Sequence, residues 1–74
     1  MARITKEQFE NNIELVYNFI KQFIKENGYA PVYREIIKGT GIKCLDSINR
    51  YLYILKDQGR IDFIPEKART IRIK

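Results

Sequence analysis

Asp46, Ser47, Asn49 and Arg50 lie within five residues of one another, and each carries a hydrogen-bonding side chain. Such a set can match the donors and acceptors on base edges. Arginine forks onto guanine, asparagine pairs with adenine, aspartate accepts from cytosine, and serine serves as donor or acceptor. Tyr53, one helical turn later, suits a phosphate or sugar. Arg34, Lys38 and Lys43 flank the preceding turn, and Lys67 and Arg69 sit at a later hairpin tip, where phosphates or a minor groove would pass. An isolated amphipathic helix would show a similar solvated side, so the surrounding elements must decide.

Those elements are legible from caps and period. Thr5 and Gln8 form a capping box. Phe9, Ile13, Val16, Tyr17, Ile20, Phe23 and Ile24 then recur at helical spacing up to the left-handed stop at Asn27-Gly28. A first helix over 6–26 is expected, with Leu15 and Phe19 widening its core side. Pro31 sets up a second helix over 32–38, although Val32 stands where a Ser or Thr cap is usual. Gly39-Thr40-Gly41 is expected to turn the chain at positive φ. A third helix over 45–58 turns Leu45, Ile48, Leu52 and Leu55 inward, which leaves Asp46, Ser47, Arg50, Tyr53 and Asp57 on the opposite face and Asn49 at its edge. After Gly59, alternation at 60–64 and 70–74 predicts two strands joined by a short connector. The order is mostly α with a small β-hairpin: one domain over 1–74, a three-helix winged helix-turn-helix.

Charge follows the same division. The net charge is +5 at pH 7. Residues 1–27 balance Arg3, Lys6, Lys21 and Lys25 against Glu7, Glu10, Glu14 and Glu26, so the whole excess falls in residues 28–74. A polyanion partner follows. With one cysteine and no histidine, a disulfide framework within the chain and the usual zinc spacings are excluded. No phosphate-binding glycine loop is present and the carboxylates are scattered, so neither catalysis nor a cofactor or metal is expected. No apolar run reaches the roughly 20 residues that cross a bilayer, and Met1–Lys6 has no signal-peptide stretch. A cytoplasmic, nucleoid-associated protein is expected. Cys44 adjoins Lys43 and a helix N-terminus, both of which lower a thiol pKa, yet small packing cysteines are commoner.

The run Gly28…Pro31…Glu35-Ile36…Gly41-Ile42…Leu52…Leu55…Gly59…Ile61…Arg69…Ile71-Arg72 resembles the N-terminal DNA-binding domain of the LexA repressor family. The spacing matches without gaps from Gly28 onward, about two-thirds of the chain. The resemblance implies a transcriptional repressor that binds double-stranded DNA at a two-fold operator, with a weak homodimer forming on the DNA. It also implies that Cys44, Asp46, Ser47, Asn49 and Arg50 occupy the base-reading segment. Cys44-Leu45 stands where Ser-Pro is common, and the base-facing residues differ, so a different operator is expected. The 74 residues leave no room for the family's self-cleaving peptidase, and no Ala-Gly cleavage site is present. A fragment of a longer repressor and a free-standing relative both fit. Two other functions are compatible with the fold: a winged-helix module that binds protein, and single-stranded nucleic-acid binding through Tyr29, Tyr33 and Tyr53.

Overall fold

The computed structural model describes residues 5–74, and Arg3 lies outside them. Helix α1 spans Lys6–Asn27, α2 Tyr33–Thr40 and α3 Leu45–Asp57, followed by strands β1 Ile61–Asp62 and β2 Arg72–Ile73. This is the winged helix-turn-helix order. No helix among the described residues is long and apolar enough to cross a membrane.

Both ends of α1 close as its sequence dictates. Gln8 N donates to Thr5 Oγ1 at 3.1 Å and Thr5 N donates to Gln8 Oε1 at 3.0 Å, while Gly28 takes φ 79° and ends the helix. Ile13, Val16 and Ile20 are its buried line. Phe19 packs against the core from the side, but Leu15 is 43% exposed and does not widen the core as expected.

Helix α2 departs from its expected bounds. Val32 offers no side-chain cap; instead its N–H donates back to Glu35 Oε1 at 2.8 Å, so only the reverse half of a capping box forms. The helix then runs through Gly39 and Thr40, and the left-handed residue is Gly41 alone, at φ 78°. Gly39 has a different reason to be glycine: a Cβ there would enter the van der Waals shell of the Phe19 ring. It lets α2 cross α1 closely.

In α3, Ile48, Tyr51, Leu52 and Leu55 are buried at spacings of three, one and three, the repeat of a helix pressed on a core. Leu45, expected on that face, is 52% exposed. As the first residue of the helix, its Cα–Cβ bond tilts toward the N-terminus and overshoots the core edge. Tyr51 fills the stripe instead, its ring 5.4 Å from Phe9 and its hydroxyl accepting from Asn12 Nδ2 at 3.2 Å.

The hairpin ladder is shorter than its alternation predicts. It pairs Ile61 with Ile73 and Asp62 with Arg72, antiparallel. Beyond that point side chains take over the backbone groups: Phe63 N donates to Asp62 Oδ1 at 2.9 Å and Ile64 N to Thr70 Oγ1 at 2.9 Å. The connector needs positive φ at Glu66 and Arg69, which breaks extended pairing. Ile61, Phe63 and Ile71 are still buried, so the alternation reports burial correctly even where the ladder stops.

Ion pairs fasten the hairpin to the helices. Arg60 forks onto Glu14 of α1 and lies 4.1 Å over the Tyr17 ring. Arg69 Nη1 donates to Ala30 O at 2.9 Å and Glu35 Oε1 at 3.1 Å, with its guanidinium 4.6 Å over Tyr29. Arg72 and Lys56 reach Asp62. Three carboxyl groups are held below their ordinary range: Glu14 by its Arg60 hydrogen bond, Glu35 by the Val32 N–H and then Arg69, and Asp62 by Arg72 and then the Phe63 N–H. A depressed folded-state pKa means the unfolded chain binds protons first on acidification. This contribution is therefore complete above the unfolded carboxyl values of about 4 and drains as pH falls through the lower folded values. Thermal melts at constant ionic strength should show a melting temperature that declines below about pH 4, and Glu14→Gln should shallow that decline.

Candidate nucleic-acid interface

The inward residues of α3 fix what its other side presents. With Ile48, Leu52 and Leu55 sealed in the core, Asp46, Asn49, Arg50 and Tyr53 are exposed and Ser47 is half-buried. The first two turns thus hold acceptors and donors with no packing duty. That is the geometry a reading helix needs.

Two concavities flank this face. One, about 420 Å³, lies between α3, the start of α2 and the hairpin, and draws in Tyr33, Asn49, Tyr53, Lys67 and Arg69. The other, about 380 Å³, lies between α3 and the start of α1 and is lined by Lys6, Phe9, Ser47, Arg50 and Tyr51. The predicted residues are therefore divided between two rims. Arg34, Lys38, Lys43, Cys44 and Asp46 border neither cavity.

Several of these side chains are already engaged. The Tyr33 hydroxyl donates to Asn49 Oδ1 at 2.8 Å, bridging α2 and α3. Tyr53 sets its ring edge-on to Phe63 at 5.2 Å, which orients it toward the hairpin cavity. Arg69, expected to meet a phosphate, bonds Ala30 and Glu35 through Nη1, lies over Tyr29 and ties the hairpin to the start of α2, while its side chain stays 43% exposed. Cys44 stands at the N-cap position of α3 without a side-chain cap bond and is exposed. Its thiol pKa is lowered first by the Ser47 hydroxyl, then by the Ser47 and Asp46 main-chain N–H groups; Lys43 is not among the causes.

Electrostatics separate the cations into two groups. Lys56, Arg60, Arg69 and Arg72 pair with carboxylates and belong to the architecture. Arg34, Lys38, Lys43, Arg50 and Lys67 are exposed and pair with no carboxylate among the described residues, and the same holds for Lys21, Lys25 and Lys74. An unpaired cation keeps its full attraction for an incoming polyanion. Lys6, also exposed, shares a rim with Arg50. Charge counting passed over it, because the first helix balances overall; its signal was position at the helix start, not net charge. Tyr33, a stacking candidate by its sequence, has a partner that spacing does not reveal, because Asn49 lies 16 positions away.

Residues 1–70 match the family model described as LexA DNA binding domain. The chain is 40% identical over 68 residues to the LexA repressor of Caldicellulosiruptor saccharolyticus, covering 92% of this chain and 34% of the relative. It is 39% identical over 67 residues to the LexA repressor of Clostridium kluyveri, covering 90% and 33%. The LexA repressor of Clostridium botulinum strain Hall is 45% identical over 58 residues, 78% of this chain and 29% of the relative. The chain spans about a third of the length of these curated relatives.

Proposed function

The chain belongs to the LexA DNA-binding domain family, and on that premise we propose that it reads duplex DNA for a transcriptional repressor, with the first turns of α3 in the major groove. The observation that carries the reading is the exposed polar face of α3, free of core duty and set among unpaired cations. Asp46, Ser47, Asn49 and Arg50 are the base-reading set, with Cys44 at its leading edge. Arg34, Lys38, Lys43, Tyr53 and Lys67 supply backbone contacts, and Lys6 joins them from the start of α1. Arg69 acts from behind, by fixing the hairpin from which Lys67 projects. The operator is two-fold, with half-sites about one helical turn apart, 34–36 Å, and a pair of chains meeting on the DNA. The protein works where the chromosome is, in the cytoplasm.

Selection of bound sites from a random duplex library tests this directly. A palindromic consensus is expected. Anisotropy titrations on that site should weaken steeply as salt rises, because each neutralised phosphate releases counterion. Lys38→Ala should weaken binding to all duplexes alike and lower the slope of log affinity against log salt by about 1. Absence of salt-sensitive duplex binding at micromolar protein would overturn the proposal and favour a protein-binding module. Tighter binding to single strands would overturn it in favour of the stacking mode.

A further inference from the structure

Tyr33 is the first residue of α2 and Asn49 lies in the second turn of α3, yet the Tyr33 hydroxyl donates to Asn49 Oδ1 at 2.8 Å. Tyr33 is half-buried while Asn49 is exposed, so the phenol is the anchored partner and the amide the one being held. We propose that Tyr33 is a positioning residue that turns the Nδ2 donors of Asn49 toward the groove and thereby sets which base Asn49 reads. The proposal rests on α3 being the reading helix.

An asparagine amide has an accepting end and a donating end. Pairing with adenine uses both at once, since the amide must accept from N6–H and donate to N7. In this molecule Tyr33 takes one of the two lone pairs of the accepting end and draws that oxygen toward α2. The donor end is left wholly free to turn outward, and guanine presents two acceptors, N7 and O6, where adenine presents one acceptor and one donor. Asn49 is thereby tuned toward guanine, contrary to the adenine pairing that its residue type alone suggests. The phenol can hold this role at neutral pH. Burial raises its pKa, the neighbouring Tyr53 raises it further, and the hydroxyl stays protonated and donating. The bond also spans two helices, so the amide is oriented before DNA arrives.

The test uses the whole chain as wild type, Tyr33→Phe, Asn49→Ala and the double variant. Thermal melts first establish that each is folded. Anisotropy is then measured on four duplexes that differ only at the base pair whose preference Asn49→Ala relaxes. Wild type is expected to favour guanine over adenine there by about ten-fold, within the range of one good side-chain–base pairing. Tyr33→Phe, which keeps the ring and removes only the hydroxyl, should bring that ratio close to unity. In the Asn49→Ala background the same change should leave the ratio unmoved. A purely structural role for Tyr33 would weaken all four duplexes equally. The proposal is overturned by an adenine preference in the wild type, by an unchanged ratio in Tyr33→Phe, by an equal effect in both backgrounds, or by no position responding to Asn49→Ala. These outcomes require that wild type select a site. If it selects none, the reading-helix assignment itself falls.

Discussion

Leu52→Ala is expected to cost about 2–5 kcal/mol of folding stability, the range for truncating a fully buried leucine. Leu52 is 0% exposed and sits among Ile48, Tyr51 and Leu55 in the core that α3 shares with α1 and the hairpin. A chain of 74 residues has roughly 4–11 kcal/mol of stability at 0.05–0.15 kcal/mol per residue. One cavity therefore removes a large share of the total. For a domain of this size each kcal/mol moves the melting temperature by about 4–8 °C, so a fall of at least about 8 °C should appear in thermal melts. Leu45→Ala is the paired control. The two leucines share the inward side of a helical projection, but Leu45 is half exposed, and its loss should stay within about 0.5 kcal/mol. Equal destabilisation by the two variants would mean that Leu45 is core and the observed start of α3 is wrong.

That contrast also marks how far the chain could be read without its structure. Period and caps carry the helices, because the causes are local: Thr5 and Gln8 are three residues apart, and Ile48, Leu52 and Leu55 share a face by geometry alone. What failed depended on residues distant in the chain. Glycine serves equally at positive φ and at a close approach, and nothing adjacent to Gly39 announces the Phe19 ring. Alternation at 60–64 correctly reports which side chains are buried, but not that Asp62 and Thr70 side chains will take the amides of Phe63 and Ile64.

The candidate site divides along the same line. Exposure of Asp46, Asn49 and Arg50 follows from the buried face of their own helix. Formal charge, by contrast, says nothing about which cations are already neutralised. Arg69 and Lys67 look alike at a hairpin tip, yet Arg69 is paired with Glu35, bonded to Ala30 and set over Tyr29, while Lys67 has no carboxylate partner among the described residues. The consequence is architectural. A hairpin latched to the start of α2 holds one wall of the cavity that contains Asn49 and Tyr53, so the wing and the reading face are set relative to each other before any ligand arrives.

Arg50→Ala is expected to weaken binding to the selected operator by about 1–3 kcal/mol, roughly five- to 150-fold, and to relax specificity at one base pair of each half-site. Three features single out this residue. It lies in the second turn of α3, its side chain is exposed, and it pairs with no carboxylate among the described residues. Its removal should therefore leave the melting temperature almost unchanged, which separates lost recognition from lost folding. Arg50→Lys separates charge from geometry. It keeps the positive charge but loses the planar fork that meets guanine N7 and O6 together. If Arg50 reads a base, lysine restores non-specific binding and its salt dependence without restoring discrimination at that base pair. If Arg50 serves only a phosphate, lysine restores both affinity and site preference, and the loss in Arg50→Ala is uniform across sequences. Operator binding unchanged by Arg50→Ala would remove this residue from the interface. The reading face would then have to centre on Asp46, which borders neither cavity, and on Asn49 in the hairpin cavity, rather than on the α1 cavity where Arg50 stands with Lys6.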